Sequence, residues 1–269
     1  MMRLPDRTLP ASAQTKLEEY QQAIDALPDY EARVVRAKTS FHSHNRKGDV
    51  AFDEVKKALT AMCSGVRRCA YCEDSLADEV EHVWPKDLYP ERAFLWSNYL
   101  YACGPCNGPK SNQFAVFATG SGVLTEVARP RDAAVVPPIA GDPVLLDPRS
   151  EDPCEYLALD LRDTFWFVPR ALHGSREFER AKYTIKVLRL NANDALPKTR
   201  QQAYKDFRAH LSHYRHLQGR NAEAPQLEEL ARDVRRRQQP TVWAEMKRQR
   251  GAIPELAEVF EAVPDALGW

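Results

Sequence analysis

Four of the six cysteines form two Cys-x-x-Cys pairs, Cys69/Cys72 and Cys103/Cys106, with thirty residues between Cys72 and Cys103. Two such knuckles read as one tetrahedral zinc site built from four thiolates. A disulfide framework belongs to secreted chains, and a redox motif needs one Cys-x-x-Cys, not two. The separation exceeds the ~15–20 residues of simple zinc ribbons, so a functional segment is inserted between the knuckles. Cys63 follows an apolar helical stripe and reads as a small core residue. Cys154 stands alone.

The inserted segment carries polar groups of a definite kind. Glu81 precedes His82; Asn98 lies sixteen positions beyond His82; Asn107 follows the second knuckle directly; Lys86 and Lys110 add positive charge. A histidine titrating near ~6.5 can take a proton from water at neutral pH. Glu81 and Asn107 offer hard oxygens, which suit Mg²⁺ or Mn²⁺ better than Zn²⁺. Phosphodiester hydrolysis needs an activated water, a cation on the developing charge and help for the leaving alkoxide. Lys110, one helical turn beyond Asn107, is placed to face a phosphate. Each residue also has a plainer reading. Histidines are commonly core or surface residues, Asn98 suits a turn, and Trp84 and Trp96 suit packing. His42 and His44 read as solvated loop residues. His210, His213 and His216 repeat at helical spacing without a nearby acid and read as an exposed face. Arg235, Arg236 and Arg237, with Lys247, Arg248 and Arg250, suit phosphate contact and solvation equally.

The flanking periodicities show what must position these groups. Leu17, Tyr20, Ile24 and Leu27 recur at helical spacing until Pro28, and Phe52, Val55, Leu59 and Met62 form a second stripe. Between them, Phe41 to Gly48 reads as a polar turn. Leu157, Leu159 and Leu161 alternate, as do Phe165 and Phe167, with Arg162-Asp163-Thr164 as a hairpin turn. Helical spacing returns from Ser175, and a further helix is expected to start near Asn193 or Asp194. The tail from Pro225 reads as helical, interrupted at Pro240, Pro254 and Pro264. Four segments result: a helical 1–64, a cysteine-bearing core 65–118, a hairpin-and-helix lobe 119–190 and a helical 191–269.

Lys plus Arg and Asp plus Glu are both 38, so the chain is formally neutral. No basic field argues for nucleic acid, and such a claim must rest on local chemistry. Hydrophobic content of 43% and charged content of 28% are those of a globular chain. No run approaches the ~18–20 apolar residues of a membrane span, and Met1 to Ala11 lacks an apolar signal core. The expectation is a cytoplasmic protein with no membrane partner.

The compound pattern over residues 66–112 resembles the HNH nuclease family, whose site is a ββα-metal motif clamped by zinc knuckles in the cysteine-bearing branch. The resemblance implies an α+β, mainly helical fold. It assigns His82 as general base, on a strand–loop edge outside any core, and Asn98 as the residue orienting the base-bearing loop. Asn107 takes the usual place of a metal-ligating His, and Glu81 that of the commoner Asp. Lys86 and Lys110 would contact nucleic acid, with DNA the expected substrate. The segments Leu145 to Pro148, Glu151 to Pro153 and Thr184 to Asn191, with an Arg near 200, extend the likeness to the nuclease subunits of Septu anti-phage systems, also found beside retrons. That branch implies a PtuA-like ATPase partner and, beside retrons, a reverse transcriptase and its RNA–DNA product. Residues 1–64 and 201–269 would be the docking surfaces, and Trp243, Ile253, Leu256, Val259, Phe260, Leu267 and Trp269 are expected to lie either on another subunit or, equally, on this chain's own core. The alternatives are a stand-alone restriction- or homing-type nuclease and a non-catalytic zinc-knuckle binding protein.

Overall fold

The structure is a computed structural model and describes residues 1–127, 129–130, 132–192 and 194–269. Three helices open the chain: α1 (Ala11–Asp25), α2 (Tyr30–His44) and α3 (Val50–Ala61). Asp29 caps α2 by accepting from the Ala32 amide, and Asp49 caps α3 by accepting from the Ala51 and Phe52 amides. Helix α2 runs four residues into the stretch read as a turn. Val34, Ala37 and Phe41 form one buried face, so the helical period carries through Phe41 to His44.

The zinc-knuckle segment contains strand β1 (Glu79–His82), antiparallel to β2 (Tyr99–Ala102), with Glu79 opposite Ala102 and His82 opposite Tyr99. Helix α4 (Gly104–Lys110) follows at once and packs on β1, while α3 packs on β2. A long loop with two 3₁₀ turns joins the strands. Strand β3 (Ala115–Ala118) then lies between β4 (Leu124–Glu126) and β5 (Gly141–Pro143).

The expected hairpin is present as β6 (Leu157–Leu159) and β7 (Phe167–Pro169). Asp160 secures its turn by accepting from the Thr164 amide and hydroxyl. Helix α5 (Arg176–Val187) begins at the Ser175 cap, and α6 (Ala195–Gly219) begins after Asp194; Asn193 lies outside the described residues. The tail forms α7 (Ala224–Arg235), α8 (Pro240–Gln249) and α9 (Pro254–Ala262), then a 3₁₀ turn at Pro264–Gly268. Its prolines occupy first-turn positions, where the missing N–H costs no helical bond. They start helices rather than break one.

Of the two covers open to the tail's apolar residues, another subunit and this chain's own core, the structure shows the second. Trp243, Ile253, Leu256 and Phe260 are buried. Trp243 packs 5.2 Å from Phe207 of α6 and 5.5 Å from Phe260, while Trp269 meets Tyr214 at 4.8 Å. Side chains on short helices gain more from an adjacent long helix than from water. Of these residues Leu267 alone is exposed. Buried residues from all four sequence segments join one hydrophobic cluster, giving an α+β architecture in which helices surround small sheets. No described helix is long and apolar enough to cross a membrane.

Candidate functional site

Cys69, Cys72, Cys103 and Cys106 are buried, and their sulfurs lie within 4.8 Å of one another. The first knuckle is fixed to β2, since the Ala70 amide donates to the Tyr101 carbonyl at 2.8 Å. Cys103 caps α4 and Cys106 sits in its first turn. Zn–S bonds of ~2.3 Å in a tetrahedron place sulfurs ~3.8 Å apart, and the Cys72 and Cys103 sulfurs are 3.8 Å apart. Burial pushes the Cys69 thiol well above its ordinary value; only a cation among the four sulfurs favours all as thiolates. Donor type, spacing and burial therefore fit structural zinc. Cys63 is not in the cluster, as expected. Among the described residues this is the only group of three or more His, Cys, Asp or Glu able to hold a metal.

On the face of β1 turned to α4, acids meet the helix in two pairs. The Asn107 amide nitrogen donates to Glu79 at 2.5 Å, and Lys110 lies 2.5 Å from Glu81. Lys110 is fully buried and also donates to the His82 carbonyl at 2.8 Å. It therefore does not face a phosphate. Its ammonium balances Glu81 and clamps α4 to β1, an arrangement that helical spacing from Asn107 cannot distinguish from an exposed lysine. Glu81 is itself buried, and its Oε1 is the atom that meets the Lys110 ammonium. With its nitrogen committed to Glu79, Asn107 retains its carbonyl oxygen. Glu79, absent from the sequence reading, supplies a third hard oxygen source; the same-face alternation of Glu79 and Glu81 was its signal.

His82 is buried, not on an edge. Its ring packs 4.4 Å from Phe41 and 5.1 Å from Tyr99, because helix α2 extends far enough to bring Phe41 over the end of β1. Its Nε2 lies 2.9 Å from the Ala93 carbonyl. A carbonyl only accepts, so Nε2 carries the proton and Nδ1 keeps the lone pair. Burial lowers the His82 pKa well below 6.5, and the charges of Lys86 and Lys110 act in the same direction. The ring is thus held neutral. Half-buried Lys86 places its ammonium 5.2 Å above the Phe41 ring. Asn98 accepts from the Trp84 amide at 2.8 Å and donates to the Trp84 and Arg92 carbonyls at 3.0 and 2.9 Å. It pins the loop that presents Ala93 to His82.

Trp84 and Trp96 are packing residues. Trp84 meets Tyr89 and Phe114, each at 4.7 Å, and Trp96 donates to the Arg7 carbonyl. His213 and His216 are exposed, while His210 contacts Arg237. His44 is not a free loop residue: its Nδ1 is 2.8 Å from Asp49 and its ring stacks on Tyr20 at 3.7 Å. The downstream segments meet in space. Thr184 accepts from the Leu146 amide, and Arg180 makes a two-point bond to Glu151 at 2.6 and 2.7 Å. Arg200 is fully buried, donates to the Phe165 and Leu190 carbonyls, and lies over the Phe167 ring. These contacts join the hairpin to α5 and α6.

No family model matches the chain. Among curated proteins, the Septu protein PtuB of Bacillus thuringiensis is 43% identical over 61 residues. That stretch is 21% of this chain and 23% of PtuB, so the chain spans about a quarter of the length of the relative it matches. The local similarity supports a PtuB-like relationship.

Proposed function

We propose that the chain is a metal-dependent HNH-type endonuclease that hydrolyses phosphodiester bonds, with DNA as substrate. In this reading β1, β2 and α4 are the ββα-metal motif, and the four cysteines hold zinc at its ends. The observation that carries it is His82: neutral, fixed through Nε2 to Ala93, with Nδ1 as the available base. His82 takes the proton of the attacking water, Asn98 holds the loop that sets the ring's orientation, and Lys86 adds positive charge beside the phosphate. Glu81 and Asn107, with Glu79 next to them, have the hard oxygens that suit Mg²⁺ or Mn²⁺. A bound divalent ion would stabilise charge on the phosphate in the transition state.

The similarity to a Septu protein supports a role in anti-phage defence together with an ATPase subunit. A retron reverse transcriptase and its RNA–DNA product fit the same setting. One observation favours a second reading, a non-catalytic zinc-knuckle protein: the Lys110 ammonium already balances Glu81. Incubating the purified chain with supercoiled plasmid separates the two. Nicking that requires Mg²⁺ or Mn²⁺ supports the nuclease; no nicking with any divalent ion, alone or with the ATPase, supports the second.

A further inference from the structure

Two arginine-bearing segments far apart in sequence are sewn together beside the first knuckle. The Ser64 hydroxyl is 3.1 Å from the carbonyls of both Arg235 and Arg237. Gly65, at φ +73°, lies so close to the Arg236 carbonyl that a Cβ there would stand 2.2 Å from its oxygen. This contact joins the segment that carries Arg67 and Arg68 to the segment that carries Arg235, Arg236 and Arg237. Between the segments is an open cleft of about 770 Å³ lined by Arg68, Arg236 and Arg237.

Of the five guanidinium groups, Arg235 alone has a carboxylate partner among the described residues, the exposed Glu228. Arg68 spends one nitrogen on the Asp74 carbonyl, and its buried Nε has no acceptor. Arg237 spends one on the His210 ring, and its buried Nε has none either. Arg68, Arg236 and Arg237 thus line the cleft with no carboxylate partner among the described residues. The cleft shares Cys63 and Arg68 with a smaller pocket whose lining includes Leu4, Leu59, Met62 and Tyr101. Arg67 lies over the Tyr101 ring at 5.6 Å. A cationic end beside an apolar, aromatic end matches a nucleotide: phosphates among the arginines, base against the apolar wall.

We propose that this cleft is a nucleotide-phosphate site, filled by a nucleotide unit of a single strand or by a free nucleotide. The assignment does not depend on the nuclease reading, because its readout is binding. The test uses zinc-loaded full-length protein without added divalent ion. Fluorescence anisotropy follows a labelled DNA single strand over a salt series, and calorimetry follows ATP. The variants are Arg236→Glu, at an exposed side chain, and Arg236→Glu with Arg67→Glu. Arg220→Glu, beyond the other end of α7, controls for net charge, and circular dichroism and zinc content control for folding. The double variant is expected to weaken binding at least about tenfold. For a strand, the salt slope falls by ~1.4, or ~0.7 for each phosphate that is no longer neutralised. Loss of strand binding alone identifies a strand as the occupant, and loss of ATP binding alone identifies a free nucleotide. The proposal is overturned if the wild type binds neither ligand, or if Arg236→Glu and the double variant bind both like Arg220→Glu.

Discussion

His82 and Lys110 show what burial does to groups that sequence spacing presents as exposed. Burial and the two nearby lysines hold the His82 pKa below 6.5, so a base at this position stays neutral under mildly acidic conditions. The acid limb of the pH–rate profile for cleavage is expected below 6.5; a limb above 6.5 would contradict the assignment. Linkage gives the stability effect. Above 6.5 the ring is neutral in both folded and unfolded chains. As pH falls below 6.5 only the unfolded chain takes up the proton at first, so stability declines from there to the lower folded pKa. Denaturant titrations of wild type and His82→Asn over pH 7 to 5 would show a shallower decline in the variant. Lys110→Met leaves Glu81 buried without its counter-charge. It is expected to cost ~3–5 kcal/mol, read as a lowered midpoint in urea. A change near zero would mean that Lys110 is not the clamp described here.

At the scale of elements, zinc held by the four cysteines would join the two ends of the β1–β2–α4 unit. Replacing Cys69 or Cys106 with Ser should unfold that unit, because structural zinc supplies ~10–16 kcal/mol of apparent binding energy that is also folding energy. Elemental analysis of the wild type should find one zinc per chain; folded protein without zinc would refute the site. EDTA should stop cleavage before it removes this zinc, and Mg²⁺ or Mn²⁺ should restore activity. The cysteine spacing was legible in sequence because metal ligation requires a fixed residue type at fixed positions. The extension of α2 through His44 was not, since Phe41-His-Ser-His44 is polar in composition and only Phe41 faces the core. Without that extension His82 would lie on an edge, because Phe41 is the residue that covers the ring. The alternation of Glu79 and Glu81 puts both acids on one face of β1, but the meeting of that face with Asn107 of α4 is a long-range contact.

At the scale of the molecule, the tail is part of the core. Deleting residues 241–269 removes Trp243, Leu256 and Phe260, all buried, and is expected to give insoluble protein. A soluble, folded truncation would contradict the packing of α8 and α9 on α6. Apolar residues between prolines were legible as needing a cover; which surface covers them is a long-range fact that the sequence leaves open. Any contact with an ATPase subunit must then use surface other than Trp243, Ile253, Leu256 and Phe260. Co-expression with an ATPase encoded beside this chain should yield a complex on size exclusion, and separate elution of the two proteins would weaken the Septu-like reading.

The central claim is that His82 is the base of a phosphodiesterase, and a rate comparison tests it most directly. Wild type and His82→Asn, matched for zinc content and circular dichroism, are incubated with supercoiled plasmid and Mn²⁺ under single-turnover conditions. The expected result is a nicking rate ~10²–10⁴-fold lower in the variant. Equal rates would contradict the account.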